Sequence, residues 1–158
     1  MSLHRTIQRI LAASLTTLLC CGVAIRAEEG EVVPYEAKAA ETLGATLVAY
    51  SIDAHVNISL VANGYQNETL ESERALALVN LTITMLDQIG PSVIALSKYD
   101  ECGEEDRECF VSLAKAFKAI KAEAVALKGY IKSEEAADYE VFQSKQQDAQ
   151  KVMDNLTQ

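Results

Sequence analysis

The sequence predicts an all-α protein, an antiparallel up-and-down four-helix bundle whose second helix is kinked at Pro91. Three observations carry this reading. Apolar residues recur at threes and fours over stretches long enough to be helices. Strand-like alternation, internal repeats and low-complexity tracts are absent from the sequence. Turn-forming residues fall at three junctions between the periodic stretches.

The first helix is expected over Tyr35 to Asn63, after Pro34 at its first position and before Gly64 as its left-handed stop. Its apolar series is Ala37, Ala40, Leu43, Leu47, Tyr50, Ala54, Ile58 and Val61. Tyr65 to Glu68 form a loop, and Thr69 is the expected N-cap of the second helix. That helix carries Leu76, Val79, Ile83 and Leu86, then Val93 and Leu96 or Tyr99 in unbroken phase beyond Gly90-Pro91. Continued phase favours one long helix bent where the proline ring displaces the carbonyl of Asp87; the alternative is a stop at Gly90 and a new helix from Pro91. Gly103 closes this segment, and Glu104, Glu105 and Asp106 suit the positive N-terminal end of the next helix.

The third helix has the clearest pattern. Phe110, Leu113, Phe117, Ile120, Ala124, Leu127 and Ile131 make a 3-4 seam of the kind that packs bundles, with Lys115, Lys118, Lys121, Lys128 and Lys132 on the other faces. In an acidic domain, those lysines are expected to lie beside acidic neighbouring helices. A last connection lies within Gly129 to Ser133, with Ser133 as the next N-cap. The fourth helix repeats the spacing through Tyr139, Phe142, Gln146, Ala149, Met153 and Leu156, with Gln146 as a polar interruption.

Composition bounds the function. The chain has 158 residues, a formal charge of −9, 49% hydrophobic residues, 7 Gly and 2 Pro, which excludes collagen-like and linker proteins. His4, Arg5 and Arg9 precede a short apolar run from Ile10 to Ile25 that ends at Ala27, the pattern of a cleaved signal peptide over residues 1–27. An uncleaved anchor and a lipidated Cys20 or Cys21 are weaker readings, because acid follows the run closely and Leu19 or Cys20 stands where lipidation needs a small residue. Residues 28–33 form a flexible lead, and 34–158 the bundle domain. Signal removal discards three basic residues and leaves a charge of −12, the wrong sign for nucleic acid or an anionic membrane face. The expected location is the periplasm or the outside of the cell, with no membrane association after cleavage.

Cys102 and Cys109 are then the remaining cysteines, and an even pair in an exported chain points to one disulfide. His55 is the remaining histidine. Asp53 lies two positions away and so points to another side of the helix, leaving Ser51 and Ser59 as the same-face neighbours of His55. Glu-x-x-His pairs, Cys-x-x-Cys-His, EF-hand spacing, phosphate-binding glycine loops and nucleophile elbows are all absent from the sequence. No metal site, cofactor or catalytic residue is therefore expected. The sequence reads as an exported non-catalytic bundle that acts by contact with an unidentified protein partner, by self-association, or as a structural module. The alternative is a carrier of a small ligand, metal or haem, built in the bundle core from His55 with polar residues such as Asn57 and Asn80. Asn57, Asn67, Asn80 and Asn155 head Asn-x-Ser/Thr sequons, which matter where export passes through a glycosylating compartment. Asn67 is the most accessible of them on this reading, and the mid-helix places of Asn57 and Asn80 count against their use.

Overall fold

The computed structural model describes residues 35–98 and 103–156, which form four α-helices with no strand among them. These are α1 (Tyr35–Gln66), α2 (Ser72–Leu96), α3 (Glu104–Ser133) and α4 (Ala136–Leu156). The expected signal peptide, the flexible lead and Cys102 lie outside the described residues.

Helix α3 is the axis of the bundle and packs against all three other helices, while α2 and α4 flank it without meeting. The reason is its seam. All seven seam residues from Phe110 to Ile131 are buried, and Ala116 and Glu123 widen the covered face. Helix α2 adds Ala75, Val79, Leu86 and Val93 to the core, and α4 adds Phe142, Ala149 and Met153. Helix α2 passes through Gly90 and Pro91 as one helix, the continuity that its apolar phase predicts. Near one end of the bundle Tyr65, Tyr130, Tyr139 and Phe142 follow one another at ring-centroid distances of 5.8, 5.0 and 6.2 Å, linking α1, α3 and α4.

The inward face of α1 differs from the expected series. Leu43 is 40% exposed, and Gly44, Ser51 and His55 are buried beside Ala54, Ile58, Val61 and Ala62. Small and polar residues thus occupy inward positions that an apolar count passes over. One consequence is a close approach of α1 to α3, where a Cβ added at Gly44 would stand 3.7 Å from Cys109 Sγ.

The helix ends correct four expectations. Gly64 does not stop α1, which runs on to Gln66. The left-handed residue is Glu68 (φ 55°), and the N–H groups of Glu68 and Thr69 return to the carbonyls of Tyr65 and Gly64 at 3.1 and 2.9 Å, a Schellman closure. Gly64 serves close approach instead, since a Cβ there would stand 3.2 Å from Leu70 Cβ. Thr69 does not cap α2, because its hydroxyl donates back to the Gly64 carbonyl at 3.0 Å; Glu71 holds the N-cap position without a side-chain bond. Ser133 is the last residue of α3 and accepts the Glu135 N–H at 3.2 Å, while the Glu135 carbonyl receives the N–H groups of Asp138 and Tyr139 at 3.1 and 3.2 Å. Glu104, Glu105 and Asp106 open α3 as expected, whereas Gly103 is the N-cap of α3 and does not close α2, which ends at Leu96 with Ser97 as its C-cap.

Core packing gives a direct test. Ile120 is fully buried on α3, whereas Val125 is 49% exposed on the same helix. Urea denaturation should show a loss of about 2–5 kcal/mol for Ile120→Ala and a change within about 0.5 kcal/mol for Val125→Ala.

Candidate functional site

Polar side chains converge where α1, α3 and α4 meet, from buried Glu123 and His55 out to exposed Gln150 and Asp154. His55 of α1 bonds through Nδ1 to Glu123 Oε2 of α3 at 2.7 Å, and through Nε2 to Gln150 Oε1 of α4 at 3.0 Å. Gln150 Nε2 donates to Asp154 Oδ1 at 2.7 Å, and Gln146 Nε2 donates to Ser59 Oγ at 2.9 Å. Helical spacing accounts for the assembly. His55 and Ser59 are one turn apart on α1, and Gln146, Gln150 and Asp154 form a row at four-residue intervals on α4. Glu123 lies seven residues after buried Ala116 and therefore shares its inward face.

The hydrogen bonds fix where the protons sit. The Asp154 carboxylate accepts only, so the Gln150 amide turns its NH2 to Asp154 and its oxygen to His55. His55 Nε2 must then carry a proton and donate it to that oxygen. One further proton lies between Nδ1 and Glu123 Oε2, held either as imidazolium and carboxylate or as imidazole and carboxylic acid. Both arrangements are neutral overall, which is what burial demands of the pair: Glu123 is fully buried and His55 is 9% exposed.

The electrostatics follow. The bond to Glu123 holds the His55 pKa above its ordinary value; burial opposes the rise, and Glu123 charge, Gln150 and Asp154 add to it. Burial pushes the Glu123 carboxyl up, against the contrary pull of His55 and a lesser one from Gln146. Glu123 Oε1 is buried with no hydrogen-bond partner, so the carboxyl is satisfied on one side only.

The other residues singled out from the sequence do not join this cluster. Asn57 is exposed and donates to Asp53 Oδ2 at 3.0 Å on the outside of α1, two positions round the helix from His55. Asn80 follows buried Val79 and is exposed. Cys109 packs half-buried against the core. Of the α3 lysines, Lys121 pairs with Asp87 of α2. Among the described residues no group of three or more His, Cys, Asp or Glu side chains is arranged to hold a metal ion. Ligation of a metal or haem iron by His55 requires one imidazole nitrogen to give up its present partner.

Sequence reasoning missed Glu123 and Gln150 and read Gln146 as an interruption. Two signals were available. Glu123 is the sole acidic residue of α3 after Glu108, and Gln146 stands at an inward position of α4.

No protein-family model matches the chain, and neither a curated protein nor a solved structure shows detectable similarity to it.

Removing one member of the pair leaves the other buried and unanswered. His55→Ala should cost roughly 3–5 kcal/mol in chemical denaturation, and the double variant His55→Leu/Glu123→Leu should recover most of that loss. A pH dependence follows from the raised His55 pKa. Above the ordinary value of 6.5 the unfolded chain releases its imidazole proton while the folded pair retains it, so the folded state binds more protons. The thermal midpoint should therefore fall as pH rises from 6.5 through the higher folded value, and the slope should flatten in the double variant.

Proposed function

We propose that this chain is an exported, non-catalytic helical bundle that works by contact with another protein or with copies of itself. The observation that carries the reading is the closure of the His55 cluster: both imidazole nitrogens are engaged, Nδ1 with Glu123 and Nε2 with Gln150, and the Ser59 hydroxyl is engaged with Gln146. The His55 cluster ties α1, α3 and α4 together, a structural use of its polar groups that supports a contact role for the outer faces of the helices. The basic start, apolar run and small residue of the first 27 positions support export.

The surface has a distinctive side. Ile52, Val56 and Leu60 form a row along the outer face of α1, at 42, 46 and 61% exposure, and Leu78 and Leu81 stand open on α2. The stretches Ala39–Gln66 and Ser72–Leu96 are long and apolar enough to cross a membrane by length and composition. Helix α1 nevertheless contributes Ser59 and His55 to a polar cluster shared with α3 and α4, which supports a packed bundle helix with an apolar outer row for contact.

The unpartnered Glu123 Oε1 favours the second reading, a carrier of a metal, haem or small ligand around His55. Elemental and absorbance analysis of protein purified from its own source decides between them. A stoichiometric cofactor lost in His55→Ala would establish the carrier and end the contact reading. For the contact reading, Val56→Lys should weaken self-association or partner capture, seen by size-exclusion chromatography and crosslinking, while changing stability by less than about 0.5 kcal/mol.

A further inference from the structure

The chain holds five asparagines, and four of them, Asn57, Asn67, Asn80 and Asn155, head Asn-x-Ser/Thr triplets with no proline between. Serine and threonine together number 19 of 158 residues. At that frequency, random order puts four of five asparagines in such triplets about once in a thousand chains. The sequons are therefore enriched beyond chance.

The structure adds an independent observation. All four asparagines are exposed. Asn67 lies in the turn after α1, with its backbone N–H on the Asn63 carbonyl at 3.0 Å. On α1, Asn57 shares a polar edge with Asp53, beside the apolar row of Ile52 and Val56. On α2, Asn80 shares an edge with Thr84 and Asp87, on another side of the helix from Leu78. A bulky substituent at any of the four projects into solvent and displaces no core side chain. Position within a helix is no obstacle, because an acceptor asparagine is modified while the chain is still extended, and the finished fold need only leave room for the product.

We propose that Asn57, Asn67, Asn80 and Asn155 are N-glycosylation sites, and that the sugars on α1 and α2 stand along the polar edges of the apolar rows. The donor class is a lipid-pyrophosphate-linked oligosaccharide. The asparagine amide nitrogen forms a bond to the anomeric carbon, the bond from that carbon to the pyrophosphate oxygen breaks, the amide releases one proton and the lipid pyrophosphate leaves. No electrons are exchanged. A hydrated oligosaccharide beside each row limits its indiscriminate association with other apolar surfaces while leaving the row itself open. This inference rests on the proposed export, since the donor is met only by a chain entering an export compartment.

The test is peptide mapping by mass spectrometry, with N-terminal sequencing, on full-length protein taken from its own source. The expected result is oligosaccharide on the four peptides, with each site converted to aspartate by glycoamidase release at a gain of about 1 Da. Unmodified asparagine at all four sites overturns the proposal. The N-terminus separates this failure from failure of the export reading. A chain beginning at Glu28 with bare asparagines overturns glycosylation alone, and a chain retaining residues 1–27 with bare asparagines counts against both. Oligosaccharide on a chain that retains residues 1–27 upholds glycosylation and overturns only signal cleavage.

Discussion

Burying the Glu123 carboxylate sets a condition that three helices must meet together. A charged oxygen withdrawn from water costs several kcal/mol unless neighbouring dipoles or a proton answer it. Here the answer comes from α1, through His55, and His55 in turn is held by Gln150 of α4. The seam on α3 supplies most of the apolar burial, yet it would accept many partners of the right width. The pair helps specify which helix lies beside that seam, because α1 brings the imidazole that meets Glu123. Ser59 and Gln146 repeat the link between α1 and α4 at 2.9 Å.

The ends of the helices show glutamate doing what glycine or asparagine more often does. Glu68 and Glu134 both adopt left-handed backbone, at φ 55° and 59°. An L-residue meets a steric penalty of roughly 1–2 kcal/mol there. At Glu134 the side chain offers a return, since its carboxylate accepts the Tyr65 hydroxyl at 2.8 Å and ties the end of α1 to the turn between α3 and α4. At Glu68 the Schellman bonds close α1 and release the chain towards Leu70, where the absence of a side chain on Gly64 lets the turn fold flat against the helix.

Much of this was legible in the sequence. Helix number, the continuity of α2 through Pro91 and every seam residue of α3 follow from apolar periodicity, because that periodicity reports directly on which face leaves water. The inward face of α1 was not legible to the same degree. Gly44, Ser51 and His55 are inward because of what α3 and α4 place opposite them, and single-chain periodicity contains no term for a partner 68 residues away. Helix ends failed for a related reason. Gly64 and Thr69 have the right chemistry for a stop and a cap, but backbone bonds across the turn assign those tasks to Glu68 and Glu71. Glu123 was hidden because its role depends on His55, and neither residue announces the other.

The short connection between α3 and α4, Glu134 and Glu135 alone, brings those helices together at small entropic cost, whereas His55 must be carried across a span of 68 residues to reach Glu123. A helix such as α1, apolar on several sides, has little in its packing to distinguish one seating from another a turn away. Sliding α1 by one turn would set Ser51 or Ser59 against the carboxylate, and a hydroxyl cannot neutralise it. The histidine therefore acts as a tooth in a lock: a misplaced α1 leaves the buried carboxyl without its imidazole, and the correctly seated one supplies it.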